Sequence, residues 1–124
     1  MYEKLELSCL PKTWLIDIDG TILKHNGYLG EGDAILPHVQ NFFDSIPKND
    51  YIILLTARKK DVLDGTKAFL LKNGIKFNLI LTDIPIGERI LINDIKPGGL
   101  KTAIAVNLKR DCGPDFSFEF DRKL

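Results

Sequence analysis

The chain has 124 residues, with 17 lysines and arginines against 17 aspartates and glutamates, so its formal net charge is zero. That length suits a single domain over residues 1–124 with one buried core, and zero net charge excludes the global field that nucleic acid or an anionic membrane surface would select. Two cysteines, Cys9 and Cys112, are too few for a disulfide framework and lack the paired spacing of a zinc site, which points to a reducing compartment.

The opening MYEKLELSCLPK alternates charged and apolar residues. Neither it nor any later segment reaches the ~18 uncharged apolar residues of a membrane span, so a soluble, cytoplasmic protein with no membrane partner is expected. TWLIDID at 13–19 is the first of five short apolar runs. KHNGYLGEGDAI at 24–35 follows as the most loop-like stretch, with three glycines and no apolar periodicity. LPHVQNFFDSI then sets Pro37 near a first helical turn and lines Val39, Phe42, Phe43 and Ile46 along one stripe. The second run is YIILLT at 51–56; KKDVLDGTKAFLLKNG after it has helical spacing and a stop at Gly74. FNLILT at 77–82, RILIND at 89–94 and TAIAVNL at 102–108 complete the set, and Phe116, Phe118 and Phe120 alternate with polar residues as in a half-exposed extended segment.

The five runs are continuously apolar, as in strands covered on both faces. Their alternation with helices predicts an α/β fold: a doubly wound, Rossmann-like parallel sheet of about five strands with helices on both faces. In such a sheet the site lies beyond the carboxyl ends of the strands, where Asp17 and Asp19, Thr56 with Arg58, Asn93 with Asp94, and Asn107 with Arg110 should converge.

Asp17 and Asp19 stand two residues apart on an extended strand end, so their side chains can share a side. Like carboxylates held together repel unless a cation or a shared proton relieves them. Mg²⁺ offers that relief through oxygen ligands, with Asp94 as a third donor. Gly20 permits a tight backbone exit and Thr21 offers a hydroxyl.

At this point DIDGT, residues 17–21, resembles the first motif, DxDxT, of the haloacid dehalogenase-like (HAD) superfamily in its phosphatase form. Thr56 in LLTAR resembles the second motif and Asp94 in LINDIKP the acidic fourth, so the resemblance spans about residues 13–110. It implies that Asp17 is the nucleophile forming an aspartyl-phosphate and that Asp19 is the acid and base. It implies further that Mg²⁺ sits among the Asp17 carboxylate, the Asp19 main-chain carbonyl and Asp94, and that Thr56 holds a phosphoryl oxygen. Thr21, Arg58 and Arg110 are the expected substrate-binding residues.

The third motif departs from the family pattern. The loop that usually carries a lysine reads TDIPIGER, while Lys76 and Arg89 precede their runs and are expected at the far end of the sheet. Lys96, just after Asp94, is the expected charge-balancing cation, with Arg58 as its substitute. Arg58, Lys59 and Lys60 open a helix where cations oppose the dipole, which a phosphate ligand would explain. No cap domain fits between Asp19 and Tyr51 or between Thr82 and Asp94. Capless members of the family act on large substrates or borrow a lid from a neighbour, so a homo-oligomer is expected.

The resulting expectation is an Mg²⁺-dependent phosphatase of a small phosphate monoester. The LINDIKP ending and capless form resemble phosphatases of bacterial surface-polysaccharide pathways, which implies a sugar phosphate or short polyol phosphate as the small phosphorylated metabolite. A nucleic-acid end phosphatase is the alternative enzyme, disfavoured by neutral charge and the lack of basic runs with interleaved aromatics. A non-catalytic, receiver-like phosphate-binding module is the other alternative; it has no need of a second acid such as Asp19.

Overall fold

The computed structural model describes residues 4–124. Strands β2 (Thr13–Asp17), β3 (Tyr51–Leu55) and β4 (Leu79–Leu81) form a parallel sheet in that order, with Asp17 opposite Leu55 and Leu55 opposite Leu81. Strands β1 (Lys4–Leu7) and β5 (Ser117–Phe120) form a second parallel sheet, Lys4 opposite Ser117. Helices α1 (Val39–Ser45) and α2 (Leu63–Lys72) connect β2 to β3 and β3 to β4. The fold is mixed α/β with parallel pairing, but in two sheets of two and three strands rather than one doubly wound sheet of five.

The difference lies in residues 83–110. The runs 89–94 and 102–108 form no ladder, and Ile90 and Ile92 are 81% and 87% exposed. Apolar character records a preference for burial, whereas a strand also needs a partner for each backbone group. Pro85, Gly87, Pro97, Gly98 and Gly99 punctuate this stretch with turn-forming residues, and no neighbouring strand takes up its backbone groups in a ladder.

Pleating sends Ile16, Ile52, Leu54 and Ile80 to one face of the three-stranded sheet. There they meet Val39, Phe42 and Phe43 of α1 and Leu70 of α2 in the core. The opposite face leaves Leu15, Tyr51, Leu79 and Leu81 exposed, so this sheet is covered on one side rather than two. Helix α1 buries the predicted stripe of Val39, Phe42, Phe43 and Ile46. Helix α2 ends in a Schellman motif: Ile75 N–H donates to the Leu70 carbonyl at 3.0 Å and Gly74 N–H to that of Leu71 at 3.1 Å. Leu70 and Ile75, both buried, supply the apolar contact that accompanies such a stop.

Phe116 and Phe118 pack inside the domain. Phe118 lies 5.1 Å from the Trp14 ring and Phe42 meets Trp14 edge-on at 5.7 Å, separations at which aromatic pairs attract. Phe120 stays exposed beneath the Lys12 ammonium. The buried Asp50 fastens the starts of β2 and β3, accepting from Trp14 Nε1 at 2.9 Å and from Lys12 N–H at 3.1 Å. Among the described residues, no helix is long and apolar enough to cross a membrane.

Candidate active site

Asp17 is the last residue of β2, and the chain turns at once beyond it. The Ile18 carbonyl accepts from the N–H groups of Thr21, Ile22 and Leu23, while Gly20 takes φ +88°, a conformation that costs glycine nothing. This curl brings the Thr21 hydroxyl back to donate to Asp17 Oδ2 at 3.1 Å. It also presses Gly20 against Arg110, whose Cγ would lie 3.2 Å from any added Cβ. Asp111 secures the contact: its N–H donates to the Gly20 carbonyl at 2.9 Å and its carboxylate accepts from His25 N–H at 2.8 Å.

Asp19 is held from the end of β3. Thr56 Oγ1 donates to its Oδ2 at 2.8 Å, and Arg58 donates to its Oδ1 from Nε at 3.0 Å and from Nη2 at 2.9 Å. Arg58 also grips Asp33, Nη2 to Oδ1 at 2.7 Å and Nη1 to Oδ2 at 3.0 Å, and its remaining N–H reaches Thr66 Oγ1 at 3.0 Å. The Tyr28 ring lies 4.0 Å from the guanidinium carbon. All five N–H donors of Arg58 are therefore taken within the chain. Burial opposes its charge, but hydrogen bonds to Asp33 and Asp19 and the charges of both acids outweigh it and raise its pKa. The stability that the arginine's raised pKa reflects is thus present throughout the neutral range and is lost on the alkaline side as the guanidinium gives up its proton.

Asp17 differs from its neighbour. Its side chain is 34% exposed against 15% for Asp19, and its ion-pair partner is Arg89, Nη1 to Oδ1 at 2.7 Å. The expected placing of Arg89 at the far end of the sheet is corrected by this contact: residues 89–94 are not a strand, so no strand carries Arg89 away from Asp17. Asp94 and Lys96 both stand in the exposed irregular segment that leads into the 97–99 turn, where Lys96 N–H donates to the Leu100 carbonyl at 2.9 Å and the Thr102 hydroxyl to that of Asp94. The described residues hold no group of three or more histidine, cysteine, aspartate or glutamate side chains able to bind a metal ion.

Of the other cations that open the α2 region, Lys59 pairs with Asp83 at 3.9 Å, and the same carboxylate accepts from the backbone N–H of Lys60 at 3.1 Å, supplying an anion where one was expected from a ligand. Asp33 and Asp83 escape sequence reasoning because an acid in a turn-rich segment is ordinary loop chemistry, while Tyr28, in the loop after the first motif where it could touch substrate, lies instead against Arg58. Asp33 and Tyr28 are legible only once the curl after β2 folds their loop over Arg58.

No family model, curated protein or solved structure matches the chain. Elsewhere, a surface hollow between α1 and β5, lined by His38, Phe42, Pro114 and Phe116, offers no paired carboxylates.

Proposed function

We propose that this protein is a phosphatase of the haloacid dehalogenase-like kind, hydrolysing a small phosphate monoester through an aspartyl-phosphate. The observation that carries the reading is the unequal treatment of two carboxylates leaving one strand end: Asp17 is partly exposed, and Asp19 is less so and fixed by Thr56 and Arg58. An exposed carboxylate can reach phosphorus, while a fixed one can move protons at a defined place. Asp17 Oδ attacks phosphorus, the ester P–O bond breaks, and the departing oxygen takes the proton of a protonated Asp19, leaving the carboxylate that Thr56 and Arg58 hold. Asp19 then takes a proton from water as that water attacks the phosphorus, releasing phosphate and restoring Asp17.

Mg²⁺ belongs to the proposal on the kind of donors present, since Asp17, the Asp19 carbonyl and Asp94 offer the hard oxygens such an ion takes. Asp17 is partly exposed and Asp94 exposed, so both carboxylates are open to an ion from solvent. When bound, the ion would offset the repulsion between nucleophile and phosphate. A sugar or short polyol phosphate as substrate, a place in surface-polysaccharide chemistry, a cytoplasmic location and a homo-oligomer that narrows each entrance complete the proposal. It is tested by phosphate release from a panel of sugar, polyol and nucleotide phosphates. Chelation is expected to stop release and added Mg²⁺ to restore it; release that resists chelation would remove the metal from the proposal.

The charge-balancing cation is tested by two variants. From its position after Asp94, Lys96→Ala should lower kcat/KM by ~10²-fold, the cost of losing one preorganised charge-stabilising group. The 2.7 Å contact of Arg89 with Asp17 makes Arg89→Ala the necessary comparison. Near-normal kinetics in Lys96→Ala with a collapse in Arg89→Ala would move the role to Arg89.

A further inference from the structure

We propose that Asp33 and Tyr28 are positioning residues for Asp19, acting through Arg58; the kinetic consequence rests on the phosphatase reading. The Arg58 side chain is 2% exposed, so each of its N–H groups must find a partner inside the protein or go unsatisfied at a cost. Asp19 and Thr66 take three of the five hydrogen bonds, and Asp33 takes the other two. Because the guanidinium is a rigid planar fork, the two-point grip of Asp33 fixes its plane. That plane determines where Nε and Nη2 meet Asp19 Oδ1. Tyr28 stacks on the guanidinium, opposing tilt out of the plane, a contact favourable in its own right. With Asp33 removed, the fork is free to turn toward water and the Asp19 carboxylate loses its fixed orientation. Glycine-rich residues 24–35, distant in sequence from β3, thus set the orientation of the proton-transferring acid.

A merely structural tether would lower thermal stability and the fraction of active molecules but leave kcat per active molecule unchanged. Positioning affects kcat itself, since small misplacements of a reacting group cost up to ~10²-fold. The test measures p-nitrophenyl phosphate turnover with Mg²⁺ and, in the full chain carrying ¹⁵N-arginine, the Nε–H resonance of Arg58, assigned by its loss in Arg58→Lys. Asp33→Asn, close in shape, is expected to shift that resonance and to lower kcat by ~10-fold or more with KM within about twofold. Tyr28→Leu should do the same more weakly, and Tyr28→Phe, which keeps the ring, should recover most of the loss. An unmoved resonance in both Asp33→Asn and Tyr28→Leu would overturn the inference whether or not the protein turns over substrate. A moved resonance with unchanged kcat would reduce Asp33 to a tether and overturn it as well. If the wild-type protein hydrolyses neither p-nitrophenyl phosphate nor the wider panel, the phosphatase reading fails, and the resonance alone decides whether Asp33 orients the Arg58–Asp19 pair.

Discussion

Asp17→Asn is expected to abolish phosphate release, by about 10⁴-fold or more, as removal of a covalent nucleophile does elsewhere, while leaving the melting temperature within about 5 °C of wild type. The two halves of this expectation have separate grounds. The amide cannot form the acyl-phosphate, so turnover by this route ends. The fold tolerates the change because Asp17 is partly exposed and its partners, the Thr21 hydroxyl and Arg89, form a half-exposed cluster rather than part of the core. Exposed pairs of this kind contribute ~1 kcal/mol or less. Phosphate release and thermal unfolding measured on one preparation check both halves. Full turnover by a folded Asp17→Asn protein would eliminate the covalent mechanism.

Gly113→Ala is expected to cause the largest loss of stability of any single methyl addition at a glycine. Gly113 is buried at φ +78°, and an added Cβ would stand 1.8 Å from the Pro37 carbonyl oxygen. The left-handed conformation alone costs a non-glycine residue ~1–2 kcal/mol. Relieving the overlap requires the backbone at the start of α1 or the segment leading into β5 to move, so a total above ~3 kcal/mol is expected, in the range tied to backbone strain and overpacking. Gly65→Ala is the control: nothing lies within 4 Å of its added Cβ and it sits inside α2, where alanine is the better helix former. Denaturant unfolding of both variants measures the difference. Equal stabilities would show that the Pro37 contact is not what holds the 113 region in place.

Where local physics decides, the sequence was readable. The stripe of α1, the Gly74 stop of α2 and the apolar cores of β2, β3 and β4 all follow from periodicity and capping that need no distant partner. The DIDGT turn was readable for the same reason, because its glycine, threonine and aspartates act within five residues of one another. Illegible were the features that depend on who meets whom. The ladder of β1 with β5 joins segments far apart in sequence, and the opening residues advertise only alternating charge. The runs at 89–94 and 102–108 have strand-like composition but no ladder, which composition cannot reveal. At the site, Asp19, Thr56 and Arg58 could be placed at one edge, but the grip of Asp33 on Arg58 and of Arg89 on Asp17 arises from loops whose paths no motif encodes.

The pairing of β1 with β5 has a consequence for biosynthesis. Lys4 and Ser117 are neighbours in space, yet roughly 110 residues of chain separate them, a closure whose entropic cost grows only slowly with length but which must await the second partner. On the ribosome, β1, Trp14 and the Phe42 ring emerge well before Phe116 and Phe118, which pack against those rings. At ~5–20 residues per second the aromatic surface stays without its native cover for several seconds. During that interval the nascent chain offers β1 as an unpaired edge and the Trp14 and Phe42 rings as an adhesive patch, a surface open to association with other chains until β5 is delivered.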